Sequence, residues 1–121
     1  MNYVPLSGDS KNPDLQMMHS DLIALVRSLE QSIDIAPSAA EIAAITEQMA
    51  EVNTRVTALG RVLFAQQTEE IARQAKAVAE AMPGIEEEIA DFQNCQRMVQ
   101  SVTALLGTVD NVVRVATLAC G

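Results

Sequence analysis

From Leu15 onward the apolar residues recur in alternating steps of three and four: Leu15, Met18, Leu22, Leu25, Leu29 and Ile33. That spacing places them on one stripe of a helix, and Ile23 and Val26 widen the stripe into a globular-bundle face. Upstream, Asn12-Pro13-Asp14 combines an N-cap, a proline at the first helical position and an acid in the first turn. Downstream, Asp34-Ile35-Ala36-Pro37 closes the segment, because a residue preceding proline is pushed out of the α region. The pattern predicts a first helix over 14–34, preceded by a flexible arm, 1–13, rich in Asn, Pro, Gly and Ser.

Ser38-Ala39-Ala40-Glu41 has the form of a capping box, with the Ser38 hydroxyl facing the Glu41 amide and Glu41 reaching back. No strong breaker follows until Met82-Pro83-Gly84, which predicts a second helix over 39–81, about 65 Å long at 1.5 Å per residue. Its seam is Ile42, Ile45, Met49, Val52, Val56, Leu59 and Leu63. Continuing that seam would use Gln66 and Glu70, so the apolar face instead moves one column over, to Phe64, Ile71, Ala75, Val78 and Met82. Drift against a seven-residue repeat is a property of a straight helix. Gly60 lies beside the crossover and is a weak marker of a bend.

A third helix is predicted over 85–119, with Glu86, Glu87 and Glu88 at the positive end of its dipole. Ile85, Ile89, Phe92, Gln96, Val99, Val102, Leu106, Val109, Val113 and Ala116 keep the spacing, while Met98, Leu105 and Val112 form a second column. A face that wide implies contact with more than one neighbour. The expected fold is therefore all-α: three helices dominated by a long antiparallel hairpin with coiled-coil-like packing, completed by oligomerisation.

The oligomer follows from lengths. A first helix of roughly 31 Å returns along only the front half of the second. The distal half of the hairpin then has two helices to hide Phe64, Ile71, Val78, Met82, Ile85, Ile89, Phe92 and Val99, and a second copy is the simplest cover. Ala58, Ala65, Ala72 and Ala79 fall seven apart beside that column, where small side chains admit close backbones. These twelve residues are the expected self-association or partner surface.

Composition narrows the function rather than naming it. Aromatics are 2% of 121 residues, too few for a β-sandwich or a base-stacking platform. Sixteen acids against eight bases give a net charge of -8, which opposes binding to phosphate backbones. Cys95 and Cys120 lack both disulfide-framework and zinc spacing. The apolar stretch 98–120 is long enough to span a bilayer, but Asp110, Asn111 and Arg114 at its middle make that expensive. The amino terminus has no signal-peptide pattern, so a cytoplasmic location is the default expectation.

No arrangement in the sequence carries chemistry. The sole histidine, His19, stands beside Met17 and Met18, and Glu-x-x-His pairs are absent. Glu69-Glu70 and Glu86-Glu87-Glu88-Asp91 read as solvated faces and helix N-termini. Walker loops, dinucleotide fingerprints, nucleophile elbows and zinc-protease helices do not occur. No catalytic, metal or cofactor-binding residue is expected. The first expectation is a non-catalytic, oligomeric helical module that binds another protein in a helix-in-groove manner, as an adaptor, scaffold, secretion chaperone or inhibitor would. Its likeness to such small helical proteins is architectural, without motif support. Alternatives are a membrane-active protein using 98–120, and a bundle binding a small ligand between protomers.

Overall fold

The computed structural model describes residues 11–120, and these fold as an all-helical bundle. Four helices, rather than the three expected, make it up: α1 (Pro13–Ile33), α2 (Ala39–Gly60), α3 (Glu69–Ile89) and α4 (Cys95–Cys120). A short 3-10 turn, Phe92–Asn94, precedes α4. The helices occupy the corners of a square. α1 packs on α2 and α3, and α4 packs on α3 and α2, so α2 and α3 stand on one diagonal.

The predicted second helix is split at the point where its seam failed. After Gly60 the chain turns at Arg61–Phe64 and runs on without regular structure to Thr68. Thr68 takes an extended conformation, its hydroxyl accepts the Ile71 amide at 3.1 Å, and Glu69 and Glu70 supply negative charge to the first turn of α3. The change of column at Gln66 and Glu70 is thus the end of one helix and the start of another, not the drift of a single rod.

Conversely, the break expected at Met82-Pro83-Gly84 is absent. α3 continues through Pro83 to Ile89, and the turn comes at Ala90–Asn94, where the Asp91 carboxylate accepts the Gln93 amide. A mid-helix proline costs about 3 kcal/mol and a glycine about 1 more. Against this stand Met82, Ile85 and Ile89, all buried, each worth about 1.5–3 kcal/mol. The step from Met82 to Ile85 is three residues, so burial continues unbroken along the face, while Pro83 and Gly84 lie on the solvent side.

These two corrections remove the 43-residue rod and its uncovered distal half. Ile71 and Val78, expected to await a second copy, are wholly buried within one chain. α1 matches expectation closely, with Leu15, Met18, Leu22, Leu25 and Leu29 forming one wall of the core. On α4 both predicted columns are used: Val102, Leu106 and Val109 are buried, as are Met98, Leu105 and Val112.

The link 61–68 joins diagonal corners across one end of the bundle. Eight residues reach up to about 26 Å, ample for a diagonal of roughly 14 Å between helices about 10 Å apart. Asn12 holds it there. The Asn12 backbone N–H donates to the Leu63 carbonyl at 2.6 Å, and its side-chain amide donates to the Ala65 carbonyl at 3.2 Å. The same side chain accepts the amides of Asp14 and Leu15, capping α1. Asn12 is buried and Pro13 is helical, so the bundle begins at Asn12 and not after an arm ending at residue 13. Met1–Ser10, the rest of that arm, lie outside the described residues.

Candidate interaction surface

Of the twelve residues expected to form one surface, few are free. Ala65, Ile71, Val78, Met82, Ile85 and Ile89 are core, and Ala58, Ala72, Ala79, Phe92 and Val99 are half-buried. Phe64 alone is exposed, at 56%, on the outer side of the diagonal link whose neighbours Val62, Leu63 and Ala65 point inward. The structure therefore does not bring the twelve together as one accessible face.

What it brings together lies between α2 and α4. These helices run in the same direction, since Ala40 and Ala44 face Cys95 and Val99 at one end while Arg55 meets Asp110 towards the other. They also meet less closely than the other neighbouring pairs. The seam between them consequently stays open as two adjoining grooves. The upper one, about 310 Å³, is walled by Ala40, Glu41, Ala44, Cys95, Gln96 and Val99 and is almost wholly apolar. Alanine at 40 and 44 leaves the space that a larger side chain would fill.

Below it a more polar groove is lined by Glu47, Gln48, Glu51, Arg55, Thr103, Leu106, Gly107 and Asp110. Arg55 spans the seam here. Its guanidinium donates to both Asp110 oxygens at 3.0 Å and to Glu51 at 2.5 Å. The hydrogen bond that Arg55 donates to Asp110, opposed by partial burial and reinforced by Glu51, pushes the Arg55 pKa upward and keeps it cationic. Asp110 and Arg114 have the i, i+4 spacing that allows pairing along one helix, but Asp110 is committed across the seam and Arg114 hydrogen-bonds Asn111. On α3, Arg73 pairs with Glu70, three residues back, rather than with Glu69 at the i, i+4 spacing.

The capping box at Ser38 also takes another form. Ser38 makes no side-chain bond to the helix backbone; its hydroxyl donates to the Glu41 carboxylate, tethering that group at the groove's rim. Burial, with the Glu41 charge nearby, raises the Cys95 pKa and holds the thiol neutral. Cys95 is therefore an apolar wall element here. The side chain of Cys120 lies outside those described.

A third groove, about 340 Å³, runs between α3 and α4 over small residues that include Ala77, Ala81, Gly84, Ser101 and Ala104. Among the described residues no three His, Cys, Asp or Glu are grouped as a metal ion would require. His19 is half-buried against α2, its Nε2 3.6 Å from where a Cβ on Gly60 would sit.

No family model, curated protein or solved structure matches this chain. The groove residues Ala40, Ala44, Cys95 and Gln96 were not anticipated from the sequence. Their only signal was indirect: the double column on the last helix announced two neighbours, but the partner in that second contact depended on the unrecognised break at 61–68.

Proposed function

We propose that the protein is a non-catalytic, helical protein-binding module, and that the α2–α4 groove is its docking surface. The observation that carries this reading is the apolar upper groove, open along two parallel helices and walled by small side chains. Covering Ala40, Ala44, Cys95 and Val99 with a partner's apolar ridge removes hydrocarbon from water, at roughly 25 cal/mol per Å². A helical partner suits the site better than an extended one. Extended peptides draw affinity from main-chain bonds to a free sheet edge, and the described residues contain no strand. Adaptor, scaffold, chaperone and inhibitor are all forms of this one physical role.

Self-association no longer has the length argument that motivated it, since the α3 stripe is covered by the chain's own helices. As a proposal it now turns on the exposed Phe64. The membrane alternative is also weakened: no helix among the described residues is long and apolar enough to cross a bilayer.

The test compares proteins retained from the source cell by the wild-type chain, by Ala44→Arg, by Val99→Glu and by Ala77→Arg. The last places a charge in the α3–α4 groove and serves as the control. Loss of the same bound protein with both α2–α4 variants, and its retention by Ala77→Arg, supports the reading. Indistinguishable binding by all four chains overturns it.

A further inference from the structure

We infer that the occupant of the α2–α4 groove is a basic amphipathic helix of a different protein, its apolar ridge seated in the upper groove and its lysine or arginine side chains directed at the carboxylates beside it. This rests on the groove being the docking surface, and it adds the partner's chemistry.

Charge carries the argument. The residues lining the two adjoining grooves include four carboxylates, Glu41, Glu47, Glu51 and Asp110, and one cation, Arg55. Arg55 is already shared between Glu51 and Asp110, so that trio keeps one negative charge. Glu41 is held by the neutral Ser38 hydroxyl and Glu47 is exposed, so neither is offset by a cation among the lining residues. The seam therefore presents three net negative charges along about 22 Å of α2, from residue 40 to residue 55. Arg114, one turn beyond Asp110, lies outside the lining and is turned to Asn111.

The arrangement selects against other occupants. A second copy placed on this face by a two-fold axis would set one net-negative seam against another. Anionic lipid and nucleic-acid phosphates meet the same repulsion. A helix with a narrow apolar ridge and basic flanks satisfies both halves of the seam at once, and its own backbone bonds stay intact on docking.

The experiment uses three capped synthetic helices of about 18 residues, roughly five turns. They share a Leu/Ala ridge at three-four spacing and carry Lys, Gln or Glu on the flanks. Each is titrated into the isotopically labelled full chain and followed by amide chemical shifts. The Lys helix is expected to bind with shifts centred on Ala40, Ala44, Gln96 and Val99, and to weaken as salt is raised. Its affinity should fall about tenfold in the double variant Glu41→Gln, Glu47→Gln, at roughly two- to fivefold per carboxylate. Glu47 is exposed and Glu41 half-buried at the rim, and an unchanged melting curve separates this loss from unfolding. Equal binding of the Lys and Gln helices at the groove overturns the basic-partner inference while leaving the docking surface intact. Failure of the Lys helix to perturb the groove also overturns it. The docking reading itself stands or falls separately, on the four-chain comparison above.

Discussion

Replacing Asn12 with alanine tests the fold at the point where chain start and diagonal link are tied together. Two effects add. The cap on α1 is lost, because the side chain no longer accepts the Asp14 and Leu15 amides, at about 0.5–2 kcal/mol. The carbonyl of Ala65, a residue only 4% exposed, loses its donor, which costs about 1–3 kcal/mol when a buried acceptor is left bare. Asn12→Ala should therefore destabilise the bundle by about 2–4 kcal/mol. Asn12→Asp separates the terms: it keeps an acceptor for the cap but has no N–H for Ala65, so it should recover part of the loss and not all of it. Urea unfolding followed by circular dichroism at 222 nm measures both. Because Arg61 is exposed within the link, trypsin should also cut Asn12→Ala there faster than wild type. An Asn12→Ala chain within about 0.5 kcal/mol of wild type would refute the tether, as would full recovery by Asn12→Asp.

Three further outcomes follow from burial. Ile71→Glu puts a charge into a wholly buried site and should unfold the chain, whereas Phe64→Glu should leave the melting curve near wild type; sedimentation of Phe64→Glu against wild type reports whether that residue also mediates self-association. Leu106→Ala should cost about 2–5 kcal/mol by urea titration, and a change under about 1 kcal/mol would place α4 outside the core. Asp21 concerns pH. Burial raises its pKa, and its Oδ2 has no hydrogen-bond partner, so the native chain holds this proton more tightly than the unfolded one does. Stability then rises as pH falls through the raised native value, and at neutral pH the ionised group is a burden. Asp21→Asn should raise the melting temperature at pH 7 by an amount that shrinks toward pH 4; a gain that is constant with pH, or absent, defeats the assignment.

How much of this was legible beforehand depended on which signals agreed. On α1 the seam, the Asn12-Pro13 start and the Pro37 stop all pointed one way, and the helix lies within a residue of expectation. At 61–68 they conflicted. The seam failed at Gln66 and Glu70, and Thr68 preceding two acids is a sound helix start, yet neither Gly60 nor the link's composition is a strong breaker. At Pro83-Gly84 the conflict was reversed: a strong local stop sat inside an unbroken apolar face, and tertiary burial prevailed. Both errors came from ranking punctuation above periodicity. They propagated into the site, because a chain read as one long hairpin leaves α3 uncovered and runs α2 antiparallel to α4, so that Ala40 and Ala44 never meet Cys95 and Val99.

The diagonal link has a consequence for how copies of this chain can exchange. It joins two hairpins, α1–α2 and α3–α4, and each helix also packs on a member of the opposite hairpin. Were the link to straighten, the α3–α4 half of one molecule could dock onto the α1–α2 half of another, restoring every interior contact in a swapped pair. Nothing new need be exposed for such a dimer, and its interface would be the core already described. The equilibrium would then depend on concentration and on the hinge at 61–68, where a straightened link gives up the Asn12 bonds to the Leu63 and Ala65 carbonyls. Those bonds must also break before the halves can trade, which makes Asn12 a latch on exchange.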